Sequence, residues 1–78
     1  MKIQWSPAAT ALARRYLRDQ DGMRAIGVAV AALARDPYPA EAFHRGRYHR
    51  LRVGRYRVLY VVDRDVITIE RVDRVADD

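Results

Sequence analysis

The sequence predicts an α+β fold in which two helices cover one face of a single sheet. Apolar residues recur at a spacing of three to four through the first half of the chain, which predicts helices, and they alternate with polar residues through the second half, which predicts strands. A chain of 78 residues has room for only one modest core. We therefore expect one domain over residues 1–78, in the order strand, helix, helix, strand, strand, strand.

The first half predicts a short strand followed by a two-helix hairpin. Residues 2–5 form the strand, and Ser6-Pro7 supplies a helix N-cap followed by proline at the first helical position. The polar residues 19–22 separate the two helices. The apolar positions at helical spacing are Ala9, Leu12, Ala13 and Tyr16 in the first helix and Met23, Ile26, Val30 and Leu33 in the second.

The end of the second helix is marked by Asp36-Pro37, and residues 36–47 predict an irregular connection. Gly27 lies in the middle of this helix, where glycine costs about 1 kcal/mol relative to alanine. We therefore expect the first helix to approach the second closely at Gly27.

The second half predicts a three-stranded antiparallel meander. Residues 48–53 alternate, Gly54-Arg55 supplies a two-residue turn, and residues 56–62 form the next strand. Arg64-Asp65 makes a second tight turn into residues 66–72. The first strand can join this meander, so one sheet with the helices on one face is expected.

Positive charge is concentrated in the predicted hairpin. The net charge is +5, and fourteen of the fifteen basic residues are arginine. Six of these arginines lie between His44 and Arg57, and no acidic residue occurs from Ala42 through Val62. Arginine binds phosphate with a planar fork, so the cluster favours a polyanionic partner. A high-GC genome, which enriches arginine and alanine everywhere, is the alternative cause of the composition.

Composition also argues against several kinds of site. The chain has no cysteine and two histidines, which cannot make a structural zinc site unaided. We expect no metal and no cofactor. The first residues lack the apolar core of a signal peptide, and no apolar run approaches the length of a membrane span. We therefore expect a cytoplasmic protein that does not bind a membrane.

Strand pairing predicts an arginine face. With Gly54-Arg55 as the turn, Arg52 lies directly opposite Arg57, and Arg50 shares their face of the sheet. Opposed like charges are unfavourable, which points to a phosphate-binding role, although a solvated basic face is the alternative. The same pairing carried through the second turn places Glu70 opposite Leu59 and Val72 opposite Arg57. Glu70 would then lie diagonally near Arg57.

Residues 48–60, Tyr-His-Arg-Leu-Arg-Val-Gly-Arg-Tyr-Arg-Val-Leu-Tyr, resemble the central hairpin of the RelE/ParE family of bacterial toxins. In that family a strand of alternating basic and apolar residues precedes a glycine turn and a Tyr-Arg-hydrophobic-hydrophobic-Tyr segment. The start of the chain is similar as well, because members often open with a short strand, Ser-Pro-Ala-Ala and two helices that end in Asp-Pro. The resemblance covers residues 1–72 and implies the RelE/ParE-like α+β fold.

The resemblance implies a toxin of a type II toxin-antitoxin module, a metal-independent endoribonuclease that cuts mRNA in the ribosomal A site and inhibits translation. The catalytic positions of the family fall on Arg50, Arg52 and Arg57, with Arg74 as the late basic group. The neighbouring basic residues are expected to contact substrate: Arg45, Arg47, Arg55, His44 and His49.

Such cleavage uses a ribose 2′-hydroxyl to attack its own 3′-phosphate, and arginine is a poor base for this step. Histidine has a suitable ordinary pKa. His44, expected in a loop, could reach the arginines, whereas strand alternation places His49 on the opposite face. Glu70 is a third candidate for the base.

Residues 72–78 depart from the family pattern. Ribonuclease members carry a Gly-His/Lys-Arg segment and a tyrosine a few residues later, but here Asp73 stands at the glycine and no tyrosine follows. This departure favours the ParE branch, in which a similar fold poisons DNA gyrase without cutting RNA. A third hypothesis is a catalytically degenerate toxin that represses its own operon and touches DNA only through the antitoxin complex. All three imply a cognate antitoxin, encoded next to this gene as a short acidic protein.

Overall fold

The computed structural model describes residues 1–76, which form five strands and two helices. The elements are β1 (Lys2–Trp5), α1 (Pro7–Arg14), α2 (Gln20–Leu33), β2 (Phe43–Arg45), β3 (Tyr48–Val53), β4 (Tyr56–Asp63) and β5 (Val66–Arg74). The strands make one sheet in the order β1-β5-β4-β3-β2. The predicted α+β fold is confirmed. Asp77 and Asp78, the end of the segment that departs from the family pattern, lie outside the described residues.

The meander formed by β3, β4 and β5 has the predicted turns. Residues 54–55 join β3 to β4, and residues 64–65 join β4 to β5. Gly54 has a φ of 58°, a left-handed conformation that glycine adopts without a steric penalty. The first strand joins the sheet as expected, because β1 pairs in parallel with β5.

The predicted irregular connection over residues 36–47 is partly wrong, because Phe43–Arg45 form strand β2. This strand pairs antiparallel with β3 and lies at the edge of the sheet. Gly46 has a φ of 60° and allows the tight turn into β3. A three-residue strand is too short to show a period of two, which is why the sequence pattern does not reveal it.

The helices pack on one face of the sheet, over different strands. Helix α1 packs on β5, whereas α2 packs on β3 and β4. Tyr16, expected to be a core residue, lies just beyond α1 and packs partly buried against the core, with its ring edge-on to that of Tyr56 at 5.3 Å. The buried core consists of Ala9, Ile26, Val30, Leu33, Leu51, Tyr56, Val58, Tyr60, Ile67, Ile69 and Val72.

Polar side chains begin both helices. The Ser6 hydroxyl accepts a hydrogen bond from the Ala9 N–H at 3.0 Å, as the predicted N-cap requires. At the start of α2, one Asp19 carboxylate oxygen accepts from the Gly22 N–H at 3.0 Å, and the other accepts from the Tyr56 hydroxyl at 2.7 Å. The hydrogen bond from Tyr56 lowers the pKa of the Asp19 carboxyl below its ordinary value. Asp19 therefore ties the start of α2 to the sheet.

The expected close approach at Gly27 is wrong. A Cβ atom added at Gly27 would have no neighbour within 4 Å, because the two helices lie over different strands. The crowded glycine of α2 is Gly22. A Cβ there would meet the Asp19 carboxylate and would lie 2.7 Å from Cε2 of Tyr56.

Strand β5 contains one inserted residue, Glu70. Tyr60 pairs with Ile69, but Leu59 pairs with Arg71, so the predicted partners Glu70 for Leu59 and Val72 for Arg57 are wrong. The Ser6 hydroxyl donates to the Glu70 carbonyl at 3.0 Å and helps to hold the bulge. The bulge turns Val72 into the core, where it is fully buried.

Candidate nucleic-acid interface

Three arginines share the face of the sheet that the helices leave open. Arg50 and Arg52 lie on β3, Arg57 lies on β4, and all three are exposed. Arg52 pairs directly with Arg57 in the register that the sequence predicts. Their neighbours Leu51 and Val58 point to the other face and are buried in the core. The packing of these apolar residues therefore positions the arginine face.

The charges on this face are poorly neutralised. Within residues 1–76, none of the three arginines forms an ion pair. Asp73 pairs with Arg57 in the strand register, but its carboxylate binds Arg71 through two hydrogen bonds of 3.1 and 2.9 Å. Nε of Arg52 donates to the Gly54 carbonyl at 2.6 Å, which orients its guanidinium and leaves the terminal nitrogens available. The arrangement can bind a phosphate from several sides.

Strand β2 adds two residues to the arginine face. Phe43 pairs with Arg50, and Arg45 pairs with Tyr48, so all four side chains share this face. Together with Leu59 they line a groove of about 350 Å³. Phe43 and Tyr48 were not predicted from the sequence as site residues. The signal in the sequence is an aromatic residue on each side of Gly46-Arg47, which the structure shows to be a turn.

Two of the predicted substrate-binding residues lie in the hairpin turns. Arg47 follows Gly46 in the turn between β2 and β3, and its guanidinium carbon lies 5.9 Å from the centre of the Tyr48 ring. Arg55 lies in the exposed turn between β3 and β4. Both therefore flank the arginine face rather than lying within it.

Arg74, the expected late basic group, is not brought to the arginine face. It pairs with Tyr56 at the end of β5, on the side of the sheet that faces the helices. Its guanidinium carbon lies 5.0 Å from the centre of the Tyr16 ring, close enough for a cation–π contact. The inserted residue Glu70 reverses which residues of β5 face the helices, so strand alternation alone would misplace Arg74.

The two histidines stack on each other on the helix side of the sheet. His44 was expected in a loop within reach of the arginines, but it lies on β2 and pairs with His49. Their rings are parallel at 4.4 Å, and His49 also stacks on Tyr60 at 5.1 Å. His49 therefore lies opposite the arginines, as predicted. Neither histidine is positioned to act as a base for a phosphate on the arginine face.

Burial changes the protonation behaviour of this stack. His49 is only 8% exposed, and this burial lowers the pKa of its imidazole, with a smaller effect from His44. Burial also raises the pKa of Tyr60 to about 12. The Tyr60 hydroxyl donates to the Pro37 carbonyl at 2.8 Å and holds the connection between α2 and β2 over the stack.

We expect the free energy of unfolding to fall as the pH is lowered from about 7.5 toward 5, because His49 must gain a proton in a buried position. The pKa of His49 is lower in the folded chain than its ordinary value of 6.5, so the unfolded chain binds more protons in this window. Chemical denaturation at a series of pH values measures the slope. In His49→Phe, which keeps a flat ring but cannot titrate, the slope should be smaller, and an unchanged slope would contradict this assignment.

Beside the arginines, the described residues offer one cross-strand carboxylate, that of Asp73, which is bound by Arg71, and no metal site. Glu70 lies at the bulge of β5, away from the diagonal position that was expected near Arg57. Within residues 1–76, no three histidine or carboxylate side chains gather into a set that could hold a metal ion. No helix in this part of the chain is long and apolar enough to cross a membrane.

Solved structures of similar fold are found, although the sequence matches no protein-family model and no curated protein. A YoeB/ParE toxin from Agrobacterium tumefaciens has a TM-score of 0.81 at 17% identity, covering 99% of this chain and 100% of that chain. YafQ from E. coli has a TM-score of 0.77 at 15% identity, covering 94% and 91%. A chain of the chromosomal ParDE TA system from P. aeruginosa has a TM-score of 0.75 at 18% identity, covering 97% of both. The shared feature is the fold, over nearly the whole of each chain.

Proposed function

We propose, from its RelE/ParE-like fold and its arginine face, that this chain is the toxin of a type II toxin-antitoxin module and acts as a ribosome-dependent mRNA endoribonuclease. The proposal rests on one observation: Arg52 lies directly opposite Arg57, and Arg50 lies beside them on the same face. Within residues 1–76, none of these three arginines forms an ion pair. Cations that face each other on neighbouring strands destabilise a sheet, and a bound phosphate would offset this repulsion. Similarity in fold to a YoeB/ParE toxin supports the coarser part of the proposal, a toxin of this fold.

The proposed chemistry needs no metal. The 2′-oxygen of a ribose forms a bond to the adjacent phosphorus while the bond to the 5′-oxygen of the next nucleotide breaks. The products are a 2′,3′-cyclic phosphate and a 5′-hydroxyl. Arg50, Arg52 and Arg57 stabilise the negative charge that develops on the phosphate oxygens. The 2′-hydroxyl proton passes to a general base, and the 5′-oxygen takes up a proton from a general acid; we assign both groups to the ribosome–mRNA complex.

The proposed partner is a cognate antitoxin with an acidic and apolar segment. Its acidic residues match the positive charge of the arginine face, and its apolar residues would cover the helices, where Val28 of α2 is 68% exposed. Ordering a disordered segment costs conformational entropy, so the antitoxin must cover an extensive surface. In this proposal the complex, and not the toxin alone, contacts operator DNA and represses the operon.

A ParE-like gyrase inhibitor is the second candidate function. The departure from the ribonuclease pattern at Asp73 favours it. Fold similarity does not separate the two, because the chain from the ParDE system and YafQ have TM-scores of 0.75 and 0.77. The third hypothesis, a catalytically degenerate toxin that acts only in operon repression, predicts that the chain is not toxic.

The three candidates differ in what is damaged when the chain is induced in cells without its antitoxin. Ribonuclease action should stop translation and leave new 5′-hydroxyl ends within translated messages, which sequencing of RNA ends detects. A message without a start codon is the control, because it is not translated and should stay intact. Intact messages together with a DNA-damage response would establish the gyrase alternative, and unimpaired growth would leave only the repressor role.

A further inference from the structure

Two aromatic rings lie exposed at the β2–β3 hairpin on the arginine face. Phe43 pairs with Arg50, and Tyr48 precedes Arg50 by two residues, so both rings share the face of the arginines. The rings are about half exposed, whereas Tyr56 and Tyr60 are fully buried in the core. Phe43 and Tyr48 are therefore available to a bound molecule.

Each of these rings has a guanidinium group beside it. The guanidinium carbon of Arg50 lies 5.1 Å from the centre of the Phe43 ring, and that of Arg47 lies 5.9 Å from the centre of the Tyr48 ring. Both distances are within the range of a cation–π contact. The groove of about 350 Å³ between the rings is lined by two aromatic side chains, Arg45, Arg50 and Leu59. Flat apolar surface next to fixed positive charge is the chemistry that binds an unpaired base and its phosphate.

We propose that Phe43 and Tyr48 form a base-stacking subsite for single-stranded RNA, beside the phosphates held by Arg52 and Arg57. The inference rests on the proposed function for its RNA target. A strand rises about 3.3 Å per residue, so Arg52 lies about 7 Å beyond Arg50 along β3. The groove beside Arg50 and the Arg52–Arg57 pair therefore lie one after the other along β3. RNA fits better than an acidic protein segment, because a base can stack on an aromatic ring and on a guanidinium plane alike.

The test is the binding of a short fluorescent single-stranded RNA to the purified chain without ribosomes, over a series of salt concentrations. Phe43→Ala and Tyr48→Ala should each weaken binding about 5- to 150-fold, the effect of losing one stacked base, and should leave the salt slope unchanged. Arg57→Ala should make the negative slope of log affinity against log salt less steep by about 0.7, the effect of losing one phosphate contact. The two kinds of contact therefore leave different signatures.

Tyr38→Ala is the matched aromatic control, because Tyr38 is 60% exposed but packs against His49 on the other side of the sheet. It should bind RNA as the parent does. Phe43→Trp should keep the affinity of the parent for RNA, whereas Phe43→Leu should lose affinity as Phe43→Ala does. A loss of folding alone would not distinguish an aromatic from an aliphatic replacement. An RNA without bases should bind the parent and Phe43→Ala equally.

The proposal is overturned if Phe43→Ala and Tyr48→Ala bind RNA like the parent, or if Tyr38→Ala is equally weakened. It is also overturned if an acidic peptide, and not RNA, depends on the two rings, since the face would then bind protein. The binding assay has no cleavage step, so it tests the base-stacking subsite independently of the proposed ribonuclease activity. The rings can be shown to bind RNA even if translated messages are not cleaved, and cleavage can be shown even if the rings do not bind RNA.

Discussion

Replacing Arg57 with alanine should lower message cleavage about 100- to 1,000-fold, the usual effect of removing one preorganised donor to an oxyanion. Arg57 lies directly opposite Arg52 and is exposed, so its loss relieves repulsion and should leave the folded state unchanged or slightly more stable. Cleavage of a translated message in a purified translation system measures the effect. Arg57 is a cleaner target than Arg52, whose Nε also holds the Gly54 carbonyl.

Arg14→Ala is the matched control for this experiment. Arg14 is exposed at the end of α1, on the other side of the molecule from the arginine face, and its replacement removes the same charge. Arg14→Ala should cleave the message as the parent does. Circular dichroism should show that both variants are folded. Full cleavage by Arg57→Ala would mean that the arginines are a solvated face, and the ribonuclease proposal would fail.

Alanine at the two glycines of α2 should change stability in opposite directions. At Gly22 the new Cβ meets the Asp19 carboxylate and lies 2.7 Å from Cε2 of Tyr56, whose ring is 2% exposed and cannot move aside. Overpacking of this kind costs about 1–3 kcal/mol, or a fall in Tm of roughly 5–20 °C for a domain of this size. At Gly27 the added Cβ has no close neighbour, so Gly27→Ala should gain about 0.5–1 kcal/mol from helix propensity.

Thermal melting of the two variants beside the parent measures both effects with the same substitution in the same helix. Asp19→Ala provides a further check, because it removes one of the two groups that crowd Gly22. The cost of Gly22→Ala should shrink in the Asp19→Ala background, as expected for residues in contact. Equal Tm values for the Gly22 and Gly27 variants would show that the contact with Asp19 and Tyr56 does not limit this position.

The start of α1, the tight turns of the meander and the arginine face were predictable from the sequence. Each depends on residues close together in the chain: Ser6 caps the helix that begins at Pro7, and Gly54 allows the turn that sets Arg52 opposite Arg57. Local chemistry and a period of two are sufficient for such features. The proposed phosphate-binding arginines were therefore visible before any tertiary structure.

The rest of the site depends on contacts between distant parts of the chain. Ser6 helps to hold the bulge at Glu70, and this bulge places Val72 in the core and Arg74 on the helix side. The spacing of three between Ile69 and Val72, after the spacing of two between Ile67 and Ile69, is a weak signal for the inserted residue.

The sequence by itself determined the order of the elements other than β2, the register of the central hairpin and the face on which its arginines lie, because adjacent residues set caps, turns and alternation. Only the tertiary structure decided that Phe43 lies on the arginine face, that His44 lies on the opposite face, and that Gly22 rather than Gly27 is crowded. Strand β2 finds its place by pairing with β3, and Gly22 is crowded by Tyr56 from a strand far along the chain. Such contacts arise only when separate segments pack together, so no local pattern reports them.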